Sequence, residues 1–272
     1  PGRSPHTLPS ITTMPITPAQ RHRIQALAAQ QATAETARDE FGEPTGSTYQ
    51  LMLAQLYEHS KQLKSIQSVE KKIEAKRTML AEYDAYVDGV LQGDGGGADR
   101  IVTTVMVWSI DAGLYLRALA LASYVIKHGL QLPDQYQRNV PTLLADEISA
   151  AALAGRVPAA EQGAILAHTL ALIGNADIPD QARAKLHKAI GYAILGKQEG
   201  QPEPDIKAMP EDQAKAAQEH LQRALDLFAQ VGVKKDLERI ARRLKGDTDA
   251  PTQANPAPGG GVGQAKAKPA KS

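Results

Sequence analysis

The residues best suited to chemistry in this chain are carboxylates. Asp146 and Glu147 are adjacent, and Asp177 and Asp180 lie three positions apart. Such pairs hold Mg²⁺ in phosphodiester-cleaving sites, where the ion polarises a phosphoryl oxygen and activates water. Local geometry weakens both pairs. Consecutive residues on a helix point to different sides, which argues against one ion shared by Asp146 and Glu147. Asp177 and Asp180 flank Pro179 at a helix start, where dipole capping explains two acids without a metal. The seven histidines (His6, His22, His59, His128, His168, His187 and His220) are scattered, mostly on helical segments as surface or core residues. The chain has no cysteine, which excludes disulfides, zinc ribbons, iron–sulfur ligation and a thiol nucleophile. It also lacks G-x-S-x-G, H-E-x-x-H and any glycine-rich nucleotide fingerprint. These residues predict no catalytic group and no metal site; the four acids stand as the weak candidates.

Charge suggests a different function. The 31 Lys and Arg residues against 30 Asp and Glu leave a net +1, which excludes a uniformly basic nucleic-acid coat but not a local patch. By region the net charge is +1 for 1–17, +2 for 18–80, −5 for 81–155, +2 for 156–245 and +1 for 246–272. Lys61, Lys64, Lys71, Lys72, Lys76 and Arg77 concentrate in one stretch, with Arg21, His22 and Arg23 nearer the N-terminus. A second cluster holds Lys234, Lys235, Arg239, Arg242, Arg243 and Lys245. Such stripes can neutralise phosphates, or they can be solvated helix faces. Neither cluster has the interleaved aromatics of a single-strand binder.

The elements that must position these residues read as all α. Hydrophobic residues make up 42% but aromatics only 4%, so the core is built of Ala, Leu, Ile and Val, as close-packed helices prefer. No apolar run is long enough for a transmembrane helix and no secretory signal is visible, so the chain reads as soluble, in a reducing compartment. Residues 1–17 and 246–272, the latter with Lys266, Lys268 and Lys271, read as disordered tails. Thr17 and Pro18 start a first helix to about Glu40. A second is expected from Ser47 or Thr48 to about Asp88. Along it Met52, Leu56, His59, Leu63, Ile66, Glu70, Ile73, Arg77 and Leu80 alternate in steps of four and three, as in an a/d seam. That pattern fits either a core-facing bundle helix or an intermolecular coiled coil, in which Met52, Leu56, Leu63, Ile66, Ile73 and Leu80 carry self-association. The glycine run 93–99 reads as a hinge, since no Lys-Ser/Thr follows it and no strand precedes it.

Beyond that hinge, residues 100–245 read as helical hairpins: Arg100–Ile110 with Leu114–His128, then helices opened by Pro141, Pro158 and Pro179, then Glu211–Gln230 and Val233–Lys245. Trp108, Gly113, Tyr115, Ala118 and Ala122, with Gly191-Tyr192 and Ala224-x-x-x-Phe228, approach tetratricopeptide spacing without a constant period. The expected architecture is a long N-terminal helical hairpin or coiled coil (18–92), a hinge (93–99) and a tetratricopeptide-like array (100–245).

Taken in order, several blocks resemble a known family. They are Thr17-Pro18-Ala19 with Arg21-His22, Tyr49 to Leu56, and Asp88-Gly89-Val90-Leu91. The most specific is Thr104-Val105-Met106-Val107-Trp108 with Asp111, Gly113, Ala118-Leu119 and Ala122, continuing to Lys127, Gly129-Leu130 and Pro133. Ala176 to Asp180, Ala184 to Lys188, His220 to Ala224 and Gly232 to Lys235 follow. Together they cover most of 17–245 and resemble the gpM-type phage terminase small subunit of cos-packaging, contractile-tailed temperate phages. Met14 lies where that family's chains start, so residues 1–13 read as an upstream extension or an added leader.

The resemblance implies a subunit that recognises the packaging site on double-stranded phage DNA, forms a homo-oligomer, and recruits the large ATP-hydrolysing subunit in the host bacterial cytoplasm. It implies no cofactor here, ATP and Mg²⁺ belonging to the large subunit, and no membrane partner. On that basis Arg21, Arg23, Lys61, Lys64, Lys71, Lys72, Lys76 and Arg77 are expected on DNA. Lys234, Lys235, Arg239, Arg242 and Arg243 are expected at the large subunit or DNA. Two alternatives stay open: that this subunit itself carries the endonuclease activity, as the family's conventional label has it, or that it is a helical scaffold that never touches DNA.

Overall fold

The computed structural model describes residues 16–33, 46–133 and 138–246. The arm before Ile16, the end of the expected first helix and the tail after Gly246 lie outside them. Among the described residues there are eleven helices and no strand. They are α1 (Pro18–Thr33), α2 (Ser47–Ser65), α3 (Val69–Leu80), α4 (Asp84–Gly93), α5 (Arg100–Asp111) and α6 (Tyr115–Lys127). The rest are α7 (Val140–Leu153), α8 (Ala159–Ile173), α9 (Asp180–Leu195), α10 (Glu211–Leu227) and α11 (Lys234–Leu244).

Local chemistry sets these boundaries. Thr17 and Gln20 form a reciprocal cap: the Gln20 amide donates to Thr17 Oγ1 at 3.3 Å, and the Thr17 amide to Gln20 Oε1 at 2.8 Å. Asn139 caps α7 by accepting from the Thr142 amide at 2.9 Å. Pro158, Pro179 and Pro210 stand immediately before α8, α9 and α10, where a missing N–H costs nothing. Gly113, at φ +77°, turns the chain between α5 and α6 in a conformation that disfavours any other residue.

The expected continuous helix from Ser47 to Asp88 is corrected: it is three helices. Ile66 is extended (φ −83°, ψ 126°), and Ser68 caps α3 by accepting from the Lys71 amide. A second turn spans 81–83. The continuous a/d seam therefore does not exist. Met52, Leu56, Leu63 and Leu80 are buried within the chain's own core, with Ile66 packed against its edge. Ile73 is half-buried and Glu70 exposed.

One core cluster runs from Ala28 to Ile240. The most extensive pairings are α9 with α10 and α1 with α4; α5 packs on α2, α3 and α6, and so joins the two halves. Packing of α7 is more extensive on α9 than on α8, which departs from a simple stack of sequential hairpins. Trp108 sits buried at the joint, edge-on to Tyr83 with centroids 6.3 Å apart. The Tyr83 hydroxyl in turn lies 2.8 Å from His59 Nδ1. Among the described residues no helix is long and apolar enough to cross a membrane.

Candidate nucleic-acid interface

The eight basic residues expected on DNA divide by position. Arg21 and Arg23 are exposed on α1, Lys61 and Lys64 on α2, and Lys71 on α3, while Lys72 is half-buried. The other two are engaged within the chain. Lys76 pairs with Asp111, and Arg77 Nε donates to the Ala112 carbonyl at 2.8 Å. Both hold α3 against the α5–α6 turn. The exposed side of α3 also carries Glu70 and Glu74, so it is a mixed face and not a basic stripe.

The second cluster divides the same way. Arg239 pairs with Glu203 and donates to the Pro204 carbonyl at 2.7 Å, and Arg243 donates to the Met209 carbonyl at 2.7 Å. These two arginines, four apart on one face of α11, fasten the proline-rich loop 201–210 over that helix. Lys234, Lys235 and Arg242 face outward.

The four candidate acids do not converge. Arg138 Nη1 lies 3.1 Å from Asp146 Oδ2 and 3.5 Å from Glu147 Oε1, so one cation already serves both. Asp177 is exposed, its carbonyl accepting from Asn139 at 3.1 Å, and Asp180 opens α9. Among the described residues no group of three His, Asp or Glu side chains could hold a metal.

Two partly buried polar clusters escape a sequence reading. Asp236, from α11, accepts from Tyr192 at 3.0 Å and from Lys197 at 2.5 Å, while Lys197 also reaches Glu203 at 2.8 Å and lies over the Tyr192 ring. Burial, reinforced by Asp236, pushes the Tyr192 phenol up to about 12. Between α9 and α10, His187 Nδ1 and His220 Nδ1 stand 3.0 Å apart, so one ring donates and the other accepts. Their spacing of 33 residues gives no sequence signal. Burial first, then His220, Arg223 and Arg183, lower His187 to about 4; burial lowers His220 against the opposing Glu219.

This pair makes the α9–α10 junction acid-sensitive. The unfolded chain takes up its proton near pH 6.5, before the folded one does, so stability is complete above that pH and falls down to about 4. The rings are half-buried, so the loss is screened to on the order of 1–2 kcal/mol. Lowered Asp94 and Glu203 act in the same direction at more acid pH, and raised Asp84 opposes them. Denaturant midpoints at pH 7 and pH 4.5 measure the effect. A His187→Phe/His220→Leu variant with an unreduced pH dependence would remove the pair as its source.

Comparison with known proteins now bears on these surfaces. The family profile of the phage small terminase subunit matches residues 53–181. The protein "Terminase, endonuclease subunit" of Escherichia phage P2 is 37% identical over 231 residues, covering 84% of this chain and 85% of that protein. The chain belongs to the phage small terminase subunit family. Membership ties it to phage DNA packaging, with DNA and the large terminase subunit as the partners the family implies. No solved structure matches this terminase subunit. The matched span runs from α2 to the start of α9 and contains the Trp108–Tyr83 joint. The relative's similarity extends well beyond that span in length.

Proposed function

We propose that this subunit recognises the cos packaging site on phage DNA, self-assembles, and recruits and regulates the large ATPase/nuclease subunit that cuts the genome and drives it into the procapsid. The observation that carries the reading is the 37% identity to a terminase subunit along 84% of the chain. Within it, Arg21, Arg23, Lys61, Lys64, Lys71 and Lys72 are the basic residues assigned to phosphate contact, because Lys76 and Arg77 are committed to α5–α6. Lys234, Lys235 and Arg242 are assigned to the large subunit. ATP and Mg²⁺ chemistry belongs to that partner, and assembly takes place in the host bacterial cytoplasm.

Retention of a packaging-site duplex in a mobility-shift titration at several salt concentrations tests the reading. Lys71→Glu/Lys72→Glu should weaken binding about tenfold or more across sequences and flatten the salt dependence. Unchanged affinity and slope would take both lysines off the DNA. Absence of any shift with the parent chain would favour a scaffold that never touches DNA. The relative's printed name favours a second reading, an intrinsic endonuclease. Cleavage of that duplex by purified protein with Mg²⁺ and no large subunit, abolished by substitution at Asp146/Glu147 or Asp177/Asp180, would establish it.

A further inference from the structure

With the a/d residues of α2 turned into the core, the opposite face of the helix lacks an internal partner among the described residues. Leu51 is 63% exposed and Tyr57 70%, and Val69, just past the α2–α3 turn, is 71% exposed. They are the most open of the large apolar side chains among the described residues, ahead of Leu114 and Leu116 at the α5–α6 turn. At about 100° per residue, Ala54, Glu58, Lys61 and Ser65 fall on the outward arc between Leu51 and Tyr57. Glu58 and Lys61 are both exposed, and neither makes an ion pair among the described residues.

We infer that this face of α2 binds the same face of a second copy, the two helices running antiparallel about a two-fold axis. Charge complementarity selects that occupant. Setting Glu58 opposite Lys61 of the other copy brings Lys61 opposite Glu58 by symmetry, so one register forms two ion pairs. The same register places Ala54 over Ser65, small against small, which lets the helices approach closely. It also sets Tyr57 beside the partner's Gln62 and carries Leu51 just past the partner's Ser65, to the turn at Ile66 where its α2 ends. A phosphate backbone would leave Leu51 and Tyr57 without apolar contact and would repel Glu58. Lys61 thereby moves from the DNA-binding candidates to the self-association surface.

This inference rests on the self-assembly part of the proposed function, and its test separates the two. The full chain is weighed by light scattering and native mass spectrometry, with far-UV circular dichroism confirming that each variant is helical. The parent chain is expected as a dimer or an even multiple. Tyr57→Glu, Glu58→Lys and Lys61→Glu should each cut the mass to half or less, and Glu58→Lys/Lys61→Glu should restore it. Because the parent chain has no cysteine, Ala54→Cys/Ser65→Cys should give a covalent dimer on oxidation, lost on reduction. An assembled parent whose mass none of the single changes alters would overturn this surface and leave self-assembly standing. A monomeric parent at all concentrations would overturn both. Dissociation by the single changes with neither rescue nor cross-link would overturn the antiparallel register.

Discussion

Asp99→Ala should destabilise the protein by about 2–4 kcal/mol, although residue 99 ends a glycine-rich stretch that reads as a flexible hinge. Asp99 is buried, and its Oδ1 accepts from the Ile101 and Val102 amides at 2.8 and 3.0 Å, closing the first turn of α5. Its Oδ2 accepts from the Tyr86 hydroxyl at 2.7 Å. Tyr86 is itself fully buried, and burial together with the facing Asp99 carboxylate raises its phenol far above the usual range. Alanine at 99 removes the cap and leaves a buried hydroxyl without its acceptor, and water cannot easily replace it. Asp99→Asn, which keeps one carbonyl oxygen for the cap, should cost about half as much or less. Denaturant unfolding of the three proteins measures the series. A loss under about 1 kcal/mol for Asp99→Ala would mean that the α4–α5 joint is not held by this side chain.

The acidic middle of the chain shows what regional charge counting misses. Most of its carboxylates pair with the region's own few cations, and one, Asp111, with Lys76 from outside it. Arg117 Nη2 lies 3.5 Å from Asp84 and 2.7 Å from Asp88; Lys127 and His128 close on Asp94; Lys76 takes Asp111; Arg138 takes Asp146 and Glu147. Several of these pairs fasten one helix to the next. A count along the sequence treats each charge as facing solvent. The fold makes them neighbours over separations of up to 35 residues, which composition cannot register.

Helix boundaries in the C-terminal half were legible because the punctuation is stereochemical. Pro158, Pro179 and Gly113 each restrict the backbone in a way that does not depend on what packs nearby. The a/d pattern across 52–80 misled for the opposite reason. Apolar periodicity reports that side chains share a core, not that they share a helix. Met52, Leu56 and Leu63 reach that core from α2, and Leu80 reaches it from α3, across an extended Ile66. Ser68, followed by an acid at Glu70, is a helix-start signal that would have located the break. The outward side of α2 was invisible for a related reason: Leu51, Tyr57 and Val69 stand out only once most of the apolar set is seen to be buried.

Gly93→Leu should release α1 from the rest of the protein while leaving the remaining helices folded. The α1–α4 contact depends on two glycines one turn apart, where the backbones meet without side chains between them. A Cβ at Gly89 would sit 2.3 Å from the Gln25 carbonyl oxygen and 2.8 Å from Ala28 Cβ. One at Gly93 would sit 2.5 Å from the Ala29 oxygen and 2.9 Å from Ala32 Cβ. These neighbours are backbone atoms or methyl groups on a rigid helix, so no rotamer change relieves the overlap. Among the helices α4 is the main support of α1, its contact with α2 being much smaller, and the Gly95 backbone lies against Ala32 at its end. Leucine at 93 therefore has one cheap response, displacement of α1, at a cost of about 1–3 kcal/mol. Hydrogen exchange should speed up across Pro18–Thr33, and trypsin should cut faster at Arg21 and Arg23, while α5 to α10 keep their protection. Because α1 carries two of the arginines assigned to DNA, Gly93→Leu should also lose at least as much DNA affinity as Arg21→Ala/Arg23→Ala. Full protection of α1 in the leucine variant would mean that the close crossing is not what holds the helix. A released α1 with unchanged DNA affinity would instead clear Arg21 and Arg23 from the DNA surface and leave α3 as its main candidate.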